Sequence, residues 1–245
     1  MINPKKSLGQ NFLLDKNIIK KIVSLTDIHK ENIIEVGPGL GSLTDEIIKL
    51  NPKKLILIEK DFELCQILYK KYKNNKLTII NEDILNFNFE KLFKYKVISN
   101  LPYNISSKFL IKALKSNINI IEIVCMIQSE LADKFDLSKG KMNKYKFLSK
   151  YCSEYKIKFN VSNNVFYPKP KIKSKVVHFL LKKQNIDLIK LNYFIRYFFI
   201  NKRKKIKSNK NFNYKIDLKY LSCRYEELNY ADILKIYERF QLSIN

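Results

Sequence analysis

The residues best suited to chemistry lie in the stretch VISNLPYNIS, numbered 97–106. A short apolar strand pattern ends there in Asn100-Leu101-Pro102-Tyr103, and the stretch contains no acid, thiol or histidine. The Asn100 side-chain oxygen and the Leu101 carbonyl could accept both N–H bonds of an exocyclic adenine amine, because Pro102 restricts Leu101 to extended geometry. That would expose the nitrogen lone pair without a general base, while Tyr103 could stack on a base taken out of its helix. A plain turn is the alternative.

A second candidate group begins at the end of the first predicted strand, in the sequence EVGPGLG (35–41). Gly37 and Gly39 allow a backbone to approach a ligand closely. Glu59 lies twenty residues beyond Gly39, at the end of the second predicted strand, where a carboxylate can bind both ribose hydroxyls. Asp83 follows the third strand and could accept from an adenine amine. Acids therefore end or follow successive strands at one sheet edge.

The glycine spacing narrows the choice of ligand. It is G-x-G-x-G, which is neither the G-x-G-x-x-G of a pyrophosphate site nor a P-loop. An adenosine cofactor without phosphates suits acid-rich walls better, and S-adenosylmethionine (SAM) carries a cationic sulfonium. A tight strand-to-helix turn without a ligand is the competing interpretation of the glycines alone.

The elements that would position these groups alternate between strand and helix. Buried-strand patterns occupy 32–37, 54–59, 77–81, 96–100 and 120–128, with amphipathic segments such as 43–50 and 62–72 between them. This predicts an α/β fold with an open, mostly parallel Rossmann-like sheet. Two further runs, 155–161 and 175–181, are expected to pair antiparallel at the sheet edge. Amphipathic helices at 188–199 and 231–240 predict a small C-terminal helical domain, giving domains 1–183 and 184–245.

The charge distribution points to a polyanionic partner. The net charge is +24, with a pI of about 9.7. Eleven lysines and a single acid lie in 139–175, and 201–210 is basic without any acid. The interleaving of aromatics with lysines favours single-stranded nucleic acid, although a lysine-rich proteome is the alternative. The aromatics are Tyr145, Phe147, Tyr151, Tyr155, Phe159, Phe166 and Tyr167.

The remaining composition argues against other classes of protein. The four cysteines form no C-x-x-C pair and lie at no metal-ligand spacing from a histidine, so we expect reduced core thiols and no metal site. No apolar run is long enough for a membrane span, and the first residues have no apolar leader pattern. We therefore expect a cytoplasmic protein without membrane association.

The motifs, taken together and in order, resemble the rRNA adenine N6,N6-dimethyltransferases, and most closely the bacterial small-subunit branch. The resemblance covers about residues 5–182 strongly and the basic segment near 199–207 loosely. It is carried by SLGQNFL (7–13), EVGPGLGSLT (35–44), LIEKD (57–61), NEDIL (81–85), NLPYNIS (100–106), MIQSELADK (126–134) and FYPKPKIKSKVV (166–177).

The resemblance implies a class I SAM-dependent methyltransferase sheet and a helical RNA-binding domain. It implies SAM contacts at Asn11, Leu13, Gly37, Glu59, Asp83 and Asn100. Phe166 would lie on the face of the target adenine opposite Tyr103, with a plain core aromatic as the alternative. The implied product is two adjacent adenines near the 3′ end of 16S rRNA, each methylated twice by a monomer, in the small subunit or its precursor.

The sequence departs from the family pattern in three places. Lys146 and Phe147 replace the usual glycine and arginine of Y-G-R-L-S, Lys173 replaces an acid in PKIKS, and the C-terminal part is short.

Three alternative functions remain to be distinguished. They are the antibiotic-resistance branch that methylates 23S rRNA, a non-catalytic assembly or transcription factor, and a DNA adenine methyltransferase. The intact cleft motifs argue against the second, and the missing target-recognition domain argues against the third.

Overall fold

The computed structural model describes residues 4–5, 8–73, 75–116, 119–183, 185–201, 203–209, 212 and 216–243. The strands in this part of the chain are β1 Phe12–Leu13, β2 Asn32–Val36, β3 Lys54–Glu59, β4 Leu77–Asn81, β5 Tyr95–Asn100, β6 Ile120–Gln128, β7 Ser153–Val161, β8 Phe166–Tyr167 and β9 Ser174–Leu181. The helices are α1 Lys16–Val23, α2 Ser42–Lys49, α3 Phe62–Lys71, α4 Ser106–Leu114, α5 Ser129–Phe135, α6 Lys144–Cys152, α7 Leu188–Tyr197, α8 Leu218–Leu221 and α9 Tyr230–Ser243. Among these described helices, none is long and apolar enough to cross a membrane.

Within the described residues, the main sheet has seven strands in the order β4-β3-β2-β5-β6-β9-β7. The first five are parallel, while β9 runs antiparallel to both β6 and β7. The chain builds outward from β2 through β3 to β4 and then returns to β5 on the other side of β2. Such a reversal opens a crevice at the carboxyl ends of the two central strands, which is where open α/β sheets bind ligands.

Burial explains why these sequences form strands. In β2 and β3 almost every residue is buried, which is the pattern of strands covered on both faces by helices. All five predicted parallel strands are confirmed to within one residue at their ends. The predicted antiparallel pair at the sheet edge is confirmed as β7 and β9.

A separate two-stranded ribbon holds the start of the chain. β1 pairs antiparallel with β8, so that Phe12 lies opposite Tyr167 and Leu13 lies opposite Phe166. Helix α1 follows directly, and its N-cap Asp15 accepts hydrogen bonds from the amides of Asn17 and Ile18. A capped helix therefore follows within three residues of the strand Phe12–Leu13.

The chain divides into two compact units. The first contains 1–133 and 152–183, and the second contains 134–151 and 184–245. Residues 134–151 were predicted to belong to the first domain, whereas they are part of the second compact unit. The reason is that Phe147 of α6 packs in the aromatic core of the second unit, against the rings of Tyr151, Phe194, Phe199, Tyr230 and Tyr237.

One of the three departures from the family pattern, the pair Lys146 and Phe147, lies in the interior of this second unit. The side chain of Phe147 is fully buried, and Lys146 is only 2% exposed. The Lys146 ammonium donates to the carbonyls of Lys139 and Gly140, which lowers the energetic cost of burying a charge. Both residues are therefore buried in the unit, whereas Lys173 is exposed.

Candidate active site

A cavity opens at the carboxyl ends of β2, β3, β4 and β5, beside the reversal in strand order. Every predicted cofactor residue lines it: Asn11, Leu13, Gly37, Gly39, Glu59, Asp83 and Asn100. Leu101, Pro102 and Tyr103 line it as well. Residues from well-separated parts of the chain thus meet in one place.

The glycine-rich turn after β2 keeps the backbone close to its neighbours. Gly37 and Gly39 have φ angles of 64° and 59°, in the left-handed region that favours glycine. A Cβ on Gly37 would lie 3.2 Å from the Pro102 ring, and one on Gly39 would lie 3.1 Å from the Phe12 ring. A side chain at either position would therefore crowd the neighbouring ring, and glycine lets the backbone form this wall of the cavity.

Glu59 ends β3 and is held by backbone amides. Its Oε2 accepts from the Gly39 amide at 3.2 Å, and its Oε1 accepts from the Asp61 amide at 2.9 Å. Burial raises the pKa of Glu59, and these hydrogen bonds partly oppose that rise. Each carboxylate oxygen keeps a further lone pair, so the group can still accept from a pair of hydroxyls.

Asp83 caps the turn that follows β4. Its Oδ1 accepts from the Leu85 amide at 2.9 Å, and its Oδ2 lies 3.0 Å from the Lys60 ammonium. Partial burial would raise the pKa of Asp83, but the Leu85 amide and the Lys60 charge outweigh it and lower the pKa overall. The group is therefore an ionised acceptor at neutral pH.

The orientation of the Asn100 amide is fixed by a distant residue. Its Nδ2 donates to the main-chain carbonyl of Asn11 at 2.9 Å. A carbonyl oxygen can only accept, so the NH2 end must face Asn11, and Oδ1 is left as the acceptor of this side chain. No hydrogen bond to the Leu101 carbonyl is present within the described residues, so that oxygen is also available. Two consecutive residues thus offer an acceptor, Asn100 at the end of β5 and Leu101 directly after it.

The Tyr103 ring is anchored at its hydroxyl. This hydroxyl lies 2.6 Å from the hydroxyl of Ser174, the first residue of β9, and burial raises the pKa of the phenol. Ser174 itself is fully buried. The ring is thus held at both ends, by its backbone and by its phenolic oxygen.

Phe166 is not brought to the cavity. Its ring is 4% exposed and packs in the main core with Leu13 and Val176, and it is absent from the cavity wall. Its neighbour Tyr167 is 58% exposed and lies on the other face of the ribbon, the face shared with Phe12. The stacking role expected of Phe166 therefore stays a prediction, and the core location is what the structure shows.

The N-terminal segment, residues 8–13, lines the cavity. It is held by contacts to Asp61, a residue that the sequence did not predict to be part of the site. Gln10 donates from Nε2 to Asp61 Oδ2 at 2.9 Å, and the Lys5 ammonium lies 2.9 Å from Asp61 Oδ1. Asp61 also caps α3. The capping role is readable from the sequence as an acid before a helix, but its bonds to residues far earlier in the chain are not.

A second buried acid, Glu35, lies in the cavity wall and was not selected from the sequence. Its side chain accepts from the Thr44 hydroxyl at 2.6 Å and is 1% exposed. Burial raises the pKa of Glu35 to about 8, with the charges of Asp45 and Glu59 adding to the effect. The G-x-G pattern indicates a role for the glycines that follow Glu35, but it does not indicate a role for Glu35 itself.

The prediction of a nucleic-acid surface can be compared with the exposure of the cations in 201–210 and of the aromatics in 139–175. Arg203, Lys204, Lys205 and Lys207 are exposed, while Lys202 and Lys210 lie outside the described residues. Of the interleaved aromatics only Tyr167 is exposed, and Phe147 is in a core. The aromatic half of that prediction is therefore wrong for Phe147, because its spacing reflects the buried face of α6.

The sheet order, the glycine turn and the acids at the strand ends define a Rossmann-like SAM-dependent methyltransferase. Solved structures agree on the fold: a dimethyladenosine transferase from Plasmodium falciparum has a TM-score of 0.75 at 22% identity, covering 95% of this chain and 98% of that one. The 23S rRNA methyltransferase ErmE has a TM-score of 0.72 at 20% identity, covering 94% and 99%.

The ribosomal RNA adenine dimethylase model matches residues 1–241, and the chain belongs to that family. It is 40% identical to the ribosomal RNA small subunit methyltransferase A of Mycoplasmopsis synoviae, over 96% of this chain and 92% of that protein. The protein of the same name from Hydrogenobaculum sp. is 37% identical over 97% and 93%. The resemblance stated from the motifs is confirmed: this is a SAM-dependent enzyme that methylates adenines of ribosomal RNA.

Proposed function

We propose that the chain dimethylates N6 of two adjacent adenines near the 3′ end of 16S rRNA, in the small subunit or its precursor. The similar curated proteins quoted above carry the small-subunit name and cover nearly the whole chain. The similarity to ErmE, at 20% identity, concerns the fold alone. The small-subunit substrate is therefore favoured over the 23S alternative.

The observation that carries the chemistry is the anchored amide of Asn100. Because Nδ2 is bound to the Asn11 carbonyl, Oδ1 is the group presented to an incoming amine. Together with the Leu101 carbonyl it would accept the two N6 hydrogens, so that the nitrogen lone pair points away from the adenine plane. No proton has to be removed before the transfer: the sulfonium would leave as a neutral thioether, and the methylated nitrogen would then lose one proton to water. The stretch 97–106 therefore needs no general base. A monomethylated amine keeps one N–H, so a second transfer is permitted.

The cavity residues fit the proposed cofactor. Glu59 has acceptor capacity for ribose hydroxyls, Asp83 for an adenine amine, and the acid-rich wall suits a positive charge. SAM supplies an electrophilic methyl group on its sulfonium when bound. Asn11 and Leu13 would cover it, and Tyr103, fixed by Ser174, would stack on the target base.

The second unit would bind RNA. Its exposed cations at Arg203, Lys204, Lys205 and Lys207 provide phosphate contacts that carry no sequence information themselves. We further propose that the protein acts as a cytoplasmic monomer, which size-exclusion chromatography with light scattering would check.

The test uses purified chain, labelled SAM and three substrates: small subunits lacking the modification, mature small subunits and large subunits. We expect label in the unmodified small subunits only, with primer-extension stops at two adjacent adenines. Asn100→Ala should abolish transfer, while Asn160→Ala, at an exposed asparagine of β7, should leave it intact. Label in the large subunit would overturn the substrate proposal, and full activity of Asn100→Ala would overturn the mechanism.

A further inference from the structure

The turn after β4 carries three residues of the cavity wall, Glu82, Asp83 and Ile84. At its start, the Asp83 carboxylate caps the Leu85 amide, and the Asp83 carbonyl accepts from the amides of Asn86 and Phe87. The turn thus has one turn of helix-like hydrogen bonding, and the carbonyls of its later residues, at its far end, have no partner inside the turn. Carbonyls at such an end need donors from elsewhere.

Lys112, in the last turn of α4, supplies those donors. Its ammonium donates to the carbonyls of Leu85 at 2.8 Å and Phe87 at 2.6 Å, and lies 3.3 Å from that of Ile84. An ammonium has three N–H donors, and three carbonyls converge on this one. Burial lowers the pKa of Lys112, opposed by the charges of Glu82 and Asp83. The same ammonium nitrogen lies over the Phe89 ring, 5.2 Å from the ring centre.

We propose that Lys112 is a positioning residue of the cofactor site, which holds the turn that presents Asp83 and Ile84 to the adenine ring of SAM. The inference rests on the proposed adenine contact at Asp83. Helix α4 would then have two roles. Its start follows the Asn100-Leu101-Pro102-Tyr103 segment, and its last turn, through Lys112, holds the turn after β4. A lysine at this place reads from sequence as a solvated charge, and only the converging carbonyls reveal its role.

A role confined to stability and a role in positioning make different predictions. Lys112→Met keeps the length of the stem and removes all three donors. Loss of hydrogen bonds from a charged group should weaken SAM binding roughly tenfold or more. The KM for SAM should rise in proportion, while kcat at saturating SAM should change by no more than about twofold, because the target amine is held elsewhere.

The experiment is isothermal titration of the full chain with SAM, alongside thermal unfolding and steady-state methylation. Lys108→Met is the matched control, since this lysine is exposed one turn earlier on the same helix and should leave every value unchanged. Asp83→Ala, which removes the acceptor, tests the site itself. If Asp83→Ala weakens SAM binding and Lys112→Met does not, the positioning role is refuted while the proposed function stands. If Asp83→Ala has no effect, the adenine site is misplaced.

A lowered melting temperature with unchanged SAM affinity would likewise refute the proposal, since it describes a purely structural lysine. Should the methionine variant not fold, Lys112→Arg tests the same point. Its flat guanidinium cannot direct three N–H bonds from one nitrogen, so SAM affinity should fall while the charge is kept. Wild-type affinity of the arginine variant would then overturn the inference.

Discussion

The buried acid Glu35 makes the stability of the free protein depend on pH in a direction that can be calculated. Burial is the largest cause of its raised pKa, which is about 8 against 4.5 for an exposed glutamate. Between these two values the folded chain holds a proton that the unfolded chain has lost. The unfolded state is therefore favoured progressively as pH rises through this window. The difference corresponds to up to about 5 kcal/mol, or about 1.4 kcal/mol per pH unit.

Glu35→Gln tests this directly, because glutamine is neutral throughout and its carbonyl can still accept from the Thr44 hydroxyl. We expect equal free energies of unfolding for wild type and variant near pH 4.5. By pH 8 the variant should be the more stable by several kcal/mol, as measured from urea denaturation curves without cofactor. Glu46→Gln, on the partly exposed side of α2, is the control for removing a negative charge.

The same acid links cofactor binding to proton release. A cationic ligand in the cavity favours the ionised form of Glu35, so wild type should release part of a proton when SAM binds at about pH 7. The binding enthalpy should then differ between buffers of high and low ionisation enthalpy, and the Gln variant should lose that difference. Parallel pH–stability curves for wild type and Glu35→Gln would refute the reasoning, since they would show that the acid is already ionised in the free protein.

Three further perturbations have defined outcomes. Ser174→Ala removes the hydroxyl partner of Tyr103; a bond worth about 1 kcal/mol should slow methylation roughly fivefold at unchanged SAM affinity, and adding Tyr103→Phe should cause no further loss. Gly39→Ala places a Cβ in a left-handed backbone 3.1 Å from a ring, so SAM affinity in a titration should fall roughly tenfold or more. Tyr167 has an exposed ring on the β1–β8 ribbon. If this ring contacts RNA, Tyr167→Ala should raise the KM for the subunit at unchanged melting temperature, whereas Phe166→Ala should lower the melting temperature because core packing is lost.

The sheet and most of the cavity could be predicted because they follow local patterns. Buried strands read as continuous apolar runs, and acids placed after them must meet at one edge when the strands are parallel. Glu59 and Asp83 were found in this way, and the structure places both in the cavity. The turn at Asn100 needed the family resemblance to become specific, since an amide followed by a proline is also common in turns.

What the sequence could not show depends on contacts between distant segments. The Asn11 carbonyl meets the Asn100 amide 89 positions away, and no periodicity records such a bond. The two residues of β8 are too few for an alternation to reveal that Phe166 faces inward. Lys146 reads as a surface charge because lysine usually is one, whereas two backbone carbonyls allow its burial.

The N-terminal segment joins the two halves of the site, and this gives the fixed geometry a physical cause. Gln10 binds Asp61, next to the carboxylate proposed for the ribose, while the adjacent Asn11 orients the Asn100 acceptor proposed for the target amine. The position of residues 10 and 11 therefore also sets the direction of the Asn100 oxygen. Without the bond to Asn11, the side-chain amide at the end of β5 could rotate and lose the benefit of preorganisation. One short segment thus lines the cofactor side of the cavity and orients the acceptor proposed for the target amine.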